Sequence, residues 1–168
     1  MDRVLPLPAD EAFALVTDFA RHGEWIPLTR MSVPAGGARP GDAVVARSAV
    51  VLLDRMTLER LDPPSVVPGA GGPGGATAGG ATACGVGRAP RTNPADGVAV
   101  LRKDGPVLLG SATVVVTPVG TRAARVRWTE DVWLRGPLPR RVTRAVLAPL
   151  LDAMVGLALW RMDRSLRR

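Results

Sequence analysis

Three ionisable residues fall on strand faces that are otherwise apolar, and they are the candidates for chemistry. Read as a strand, residues 50–61 put Val50, Leu52, Asp54, Met56 and Leu58 on one face. Residues 98–103 put Arg102 with Val98 and Val100. Residues 123–134 put Glu130 with Ala124, Val126, Trp128, Val132 and Leu134. A charge on a buried face must be paired, protonated or turned toward a wet cavity. As a group, Asp54, Arg102 and Glu130 would orient a carbonyl or hydroxyl of a molecule held in an apolar pocket. Alternatively, Glu130 or Asp54, its pKa raised by apolar surroundings, would act as general acid or base in an aldol cyclisation or dehydration. An internal ion pair, or strand ends twisted into solvent, would explain the same pattern without any chemistry.

Large apolar side chains supply either pocket walls or plain core: Trp25, Met56 and Trp128, with Leu151 and Met154 from the C-terminal segment. Trp133 falls on the outer face of its strand, and Trp160 lies off the main stripe of its helix. His22 has Asp18 and Glu24 nearby but no second imidazole or thiolate, so no metal site is expected. It reads as a surface or capping residue, or as a gate at a cavity mouth. Cys84 is the one cysteine, which excludes an intramolecular disulfide and a cysteine-based zinc site. GGPGGATAGG lacks the strand–loop–helix setting and the GK[ST] of a phosphate loop. No cofactor is implied.

The net charge of +7 raises nucleic acid or an acidic surface as partners. Yet Lys103 is the only lysine, tyrosine is absent, and Ala, Gly, Pro and Val abound, a bias expected of GC-rich coding. With aromatics at 4% there is no platform for base stacking, so nucleic acid is not expected. No uninterrupted apolar run reaches the ~20 residues of a membrane span, and Asp152 interrupts the longest apolar stretch. The opening MDRVLPLPADEAFAL lacks the pattern of a signal peptide, so a cytoplasmic protein is the expectation. The sequence leaves the oligomeric state open.

These side chains are positioned by a simple order of elements. A short edge strand at residues 3–7 is limited by Pro6 and Pro8. A helix opens at Pro8-Ala9-Asp10, with Ala12, Phe13, Leu15, Val16 and Phe19 at helical spacing. Gly23 breaks it, and a second short helix or turn ends at Pro27. Strands follow at 43–48, 50–61, 98–103, 107–117 and 123–134, with Asp104-Gly105 as a hairpin turn. Residues 65–97 are almost wholly Gly, Ala, Pro, Thr and Ser and are read as a disordered loop insertion in one domain spanning 1–168. A final helix from Arg140 to Arg168 carries Leu147, Leu151, Met154, Ala158 and Met162 in one stripe, widened by Leu150 and Leu157, with a kink expected at Pro149. The expected fold class is α+β: a curved antiparallel sheet of about six strands wrapped on a long C-terminal helix.

That order resembles the helix-grip fold of the START/Bet v 1-like (SRPBCC) superfamily, which includes polyketide cyclase/dehydrase and lipid-transport proteins. The resemblance rests on VLPLPADEAFALVTDFARHGEWIPLTRM, the Gly41-Asp42 turn, LDRMTLERLDPP, and GTRAARVRWTEDVWL before the final helix. It spans most of the chain apart from residues 65–97. It implies a cavity between sheet and helix for a hydrophobic small molecule such as a lipid, polyketide or isoprenoid, and it transfers no catalytic residue. Three functions are therefore carried forward: a binder of such a molecule, a polyketide cyclase or dehydratase, and a module that contacts a protein or an acidic membrane surface.

Overall fold

Where apolar and polar residues alternate most cleanly, the chain forms the long central strands of one sheet. The computed structural model describes residues 1–48, 52–65 and 93–168. Its elements run β1 (Asp2–Leu5), α1 (Ala9–Thr17), a 3₁₀ turn (Phe19–Arg21), α2 (His22–Trp25), β2 (Thr29–Ser32), β3 (Ala43–Ser48), β4 (Leu52–Asp62), β5 (Gly97–Asp104), β6 (Leu108–Pro118), β7 (Ala124–Leu134) and α3 (Arg140–Leu166). Most of the 65–97 insertion lies outside the described residues. Its last part is ordered differently from the expectation: Asn93–Asp96 makes a turn and β5 already begins at Gly97.

The sheet has seven strands in the order β1-β7-β6-β5-β4-β3-β2, and every pair is antiparallel. Strands β2 to β7 form a meander, while α1 and α2 carry the chain from β1 on one edge to β2 on the other. The seventh strand is β2, absent from the sequence reading. It is four residues long with one apolar residue, Met31, and it is fixed by pairing with β3 rather than by its own pattern.

On the concave face, α3 packs against β7, β1 and α2. Its 27 residues span about 40 Å. Leu151, Val155, Ala158, Leu159 and Met162 are its buried apolar residues. Leu150 and Leu157, expected to widen the buried stripe, instead point outward at 66% and 37% exposure. The helix runs continuously through Pro149, which lies on the exposed side. By length and mean hydropathy α3 is long and apolar enough to cross a membrane, with Asp152 inside it. Its packing on the sheet makes it the core helix of this fold.

Among the described residues, the buried apolar side chains fall into three clusters. The largest joins α1, α3, β1, β6 and β7 around Phe13, Trp25, Val126 and Trp128. The second joins β3, β4 and β5 to Phe19. The third, Leu108, Val132 and Leu151, closes the far end. At the junction of these clusters the packing is incomplete.

Candidate functional site

Three strands of the sheet deliver three charged side chains to that junction. Asp54 and Met56 point inward from β4, Lys103 from β5, and Trp128 and Glu130 from β7. Glu130 and Lys103 are separated by β6, where Ala112 pairs with Glu130 and Gly110 pairs with Lys103. Those two small residues leave the space in which the side chains meet. Gly110 is required for a second reason: its φ is +132°, and a Cβ there would lie 2.0 Å from the Asp131 carbonyl oxygen.

Lys103 Nζ donates to Asp54 Oδ2 at 2.6 Å and lies 3.3 Å from Glu130 Oε2. Trp128 Nε1 donates to Glu130 Oε1 at 3.0 Å. Asp54 Oδ1 and Glu130 Oε2 are buried and accept no hydrogen bond from the described residues. Burial is the largest influence on Glu130 and drives its pKa up, against the pull of Lys103 and the Trp128 hydrogen bond. Burial also opposes the Lys103 ammonium, but the two carboxylates together outweigh it and raise its pKa above the usual lysine value. The electrostatic result is an ammonium held between Asp54 and Glu130, with burial lifting the Glu130 pKa above the ordinary carboxylate value.

His22 completes the polar lining. It is buried, and its Nε2–H donates to the Val16 carbonyl at 2.9 Å. Its ring meets Phe19 edge-on at 5.2 Å and Trp128 at 5.3 Å between centroids. Burial depresses its pKa, with the Val16 hydrogen bond opposing, so the imidazole is neutral at pH 7 and Nδ1 is an acceptor.

The cavity framed by these groups has a volume of about 60 Å³. Phe19, Met31, Met56, Trp128 and Met154 form most of its apolar wall, and Thr29 and Ser48, hydrogen-bonded to each other at 2.8 Å, form a second polar end. That volume is well below the roughly 300 Å³ at which pockets for whole small molecules begin; side chains fill the space between sheet and helix, leaving room for a functional group. Directly outside lies a groove of about 480 Å³ between the 3₁₀ turn and the β2–β3 connection. Phe19 and Met31 line both spaces, and so form the partition between them.

Among the expected site residues, Met56, Trp128, Glu130 and Met154 line the cavity together with Asp54. Trp25 is buried in the α1–α3 cluster, and Leu151 belongs to the far cluster; neither lines the cavity. Arg102 is corrected outright. It lies on the outer face, 56% exposed, paired with Asp104 at 2.7 Å and Glu59 at 3.4 Å. Its neighbour Lys103 occupies the inward position. Val98, Ala99, Val100 and Leu101 are apolar at both parities, so nothing local decides which face of β5 turns in. Lys103 is the site residue that the sequence reading missed, and His22, read as a surface or capping residue or as a gate at a cavity mouth, is a buried part of the lining. The signal for Lys103 was its being the one lysine in an arginine-rich chain. No group of three or more candidate metal-ligating side chains occurs among the described residues.

No protein-family model matches the sequence, and no curated protein matches it. Solved structures do match. A START superfamily protein from Mycobacterium smegmatis is 12% identical with a TM-score of 0.59, over 99% of this chain and 96% of that one. The ZhuI aromatase/cyclase from Streptomyces sp. R1128 is 14% identical with a TM-score of 0.60, over 100% and 92%. The di-domain aromatase/cyclase BexL is 16% identical with a TM-score of 0.59, over 98% of this chain and 44% of its own length. The chain has the START-like helix-grip fold.

Proposed function

We propose that this protein binds a hydrophobic small molecule, such as a lipid, polyketide or isoprenoid, by taking one polar group of it into the cavity between the sheet and α3. The observation that supports this most is the meeting of Asp54, Lys103 and Glu130 in one cavity, where two buried carboxylate oxygens, Asp54 Oδ1 and Glu130 Oε2, accept no hydrogen bond from the described residues, the second having the Lys103 ammonium 3.3 Å away. Leaving such atoms unsatisfied costs roughly 1–3 kcal/mol each. A hydroxyl would satisfy either one, and a carbonyl oxygen would accept from a protonated Glu130 or from Lys103. The inner volume of about 60 Å³ suits that polar group, and the remainder would lie beyond Phe19 and Met31 in the groove of about 480 Å³, whose lining mixes Thr17, Asp18 and Ser32 with Val33, Pro34 and Ala38.

The same geometry supports a second reading, acid–base catalysis on a polyketide-like chain. A carboxyl with a raised pKa, beside an ammonium, is suited to protonate a carbonyl oxygen or to accept a proton in an aldol cyclisation or dehydration. Fold likeness to aromatase/cyclases fits this reading without deciding it.

A panel of medium-chain fatty acids, alcohols and naphthols, followed by quenching of tryptophan emission, tests the binding. Wild-type protein should saturate with at least one class, and Ala112→Trp, which fills the cavity floor, should weaken that binding at least ~10-fold. Equal binding by both proteins would contradict the reading. Glu130→Gln that binds normally but has lost turnover of a cyclisable substrate would identify the enzyme.

A further inference from the structure

The outward side of α3 is apolar as well. Val142, Val146, Leu150, Leu157 and Trp160 are 51%, 68%, 66%, 37% and 41% exposed. Their spacing of four, four, seven and three residues puts them on one stripe, opposite the buried Leu151, Ala158 and Met162. The stripe runs along the helix for on the order of 27 Å. Folding needs one apolar face on this helix, and that face is already packed. A continuous exposed ridge of this kind marks an interaction surface.

Charge decides the partner. Residues 140–168 carry seven arginines and two aspartates, five of the chain's net seven positive charges. Arg141 lies beside the start of the stripe, and Arg161, Arg164 and Arg168 beside its end; Arg140 and Arg144 turn toward β7, where Arg144 pairs with Asp131 at 3.1 Å. Asp163 is turned inward onto Arg3 at 3.0 Å and Arg167 at 2.7 Å, which leaves Asp152 as the exposed acid of the helix. At the start of the stripe a dent of about 260 Å³ is lined by Trp133, Arg140, Arg141 and Arg144, with the Arg140 guanidinium stacked 3.6 Å from the Trp133 ring. Two copies laid ridge to ridge would bring arginine clusters together in either direction. A protein partner would need a groove for a convex ridge, whereas lipid headgroups part around it.

We propose that the outer face of α3 docks on an anionic membrane surface, its Val/Leu/Trp stripe in the headgroup boundary and its arginines on lipid phosphates. The long arginine stems allow their charges to reach upward while the stripe is submerged. Trp160, with Arg164 at 5.2 Å from its ring, sits where an interfacial aromatic anchors such a helix.

Co-sedimentation of the full chain with phosphatidylcholine/phosphatidylglycerol vesicles, and with pure phosphatidylcholine vesicles, tests this. Binding is expected to the anionic vesicles alone, falling at least ~10-fold between low salt and about 0.5 M salt. Val146→Glu/Leu150→Glu should lower it at least ~10-fold with an unchanged melting curve, because both side chains are exposed. Trp160→Phe should retain binding while removing a blue shift of tryptophan emission. No binding at low salt, or binding untouched by the double substitution, overturns the proposal. Self-association in light scattering that disappears in the double variant would assign the face to a second copy and likewise overturn it.

Discussion

Lys103 Nζ lies 2.6 Å from Asp54 Oδ2, with both side chains under 10% exposed, on the inner face of the sheet. It is the chain's one lysine among 22 basic residues. A lysine's compact head on a flexible stem fits over Gly110 and Ala112 to reach two carboxylates, where a planar guanidinium would need more room and in-plane partners. The rest of the site is arranged around this contact.

Removing the ammonium alone strands two buried carboxyl groups. Lys103→Met should cost about 3–5 kcal/mol in denaturant unfolding, and Lys103→Met/Asp54→Leu should recover a large part of that. Additive losses in the double variant would show that the pair is not a unit.

Glu130 gives stability an unusual pH dependence. Its folded pKa is raised above the ordinary 4.5, mainly by burial. Over the interval between the unfolded and folded values, the native state holds a proton that the unfolded chain has released. The contribution is therefore complete below the unfolded value and is lost as pH rises through the folded value. Urea midpoints measured across that interval should decline less with rising pH in Glu130→Gln than in the wild type. Parallel declines in the two proteins would be the contrary result.

The slope from His22 has the opposite sign. Burial depresses its pKa below 6.5, so the native state holds less proton than the unfolded chain over that interval. Its stabilisation is present above the unfolded value and is lost as pH falls through the folded value. His22→Gln keeps a donor for the Val16 carbonyl without the titration. Its stability should fall less on acidification from pH 7 than that of the wild type, as read by thermal melts.

Gly110 is a backbone requirement of the site. Gly110→Ala should cost about 3 kcal/mol or more, because the positive φ adds to a 2.0 Å approach to the Asp131 oxygen. Gly36→Ala, at φ +86° with open space around it, should cost only about 1–2 kcal/mol. Similar losses at both positions would mean that the close approach at Gly110 is relieved without effect.

The contrast between β7 and β5 shows what made residues legible. In β7, Arg125, Arg127 and Thr129 alternate with Val126, Trp128 and Glu130, so the inward face and Glu130 were readable. In β5 both parities are apolar up to Leu101, and the choice between Arg102 and Lys103 is made by pairing with β4 and β6. His22 sits between Arg21 and Gly23, with Glu24 next, and nothing in that polar run announces a buried ring. The order of elements was legible because turns and long strands signal locally. β2 was not, because four residues at an edge carry too little pattern. The outward turn of Leu150 and Leu157 was hidden because α3 is apolar on two faces, and a stripe count does not tell which one the sheet will cover.

The five methionines give the most direct test of the binding account, since Met31, Met56 and Met154 line the cavity while Met1 and Met162 do not. Methyl resonances of [¹³C-methyl]methionine-labelled protein should be followed while the best-binding member of the fatty acid, alcohol and naphthol panel is titrated. The account predicts saturable shifts at Met31, Met56 and Met154, with Met1 and Met162 stationary. Saturable binding that leaves the three cavity methyls unmoved would contradict it.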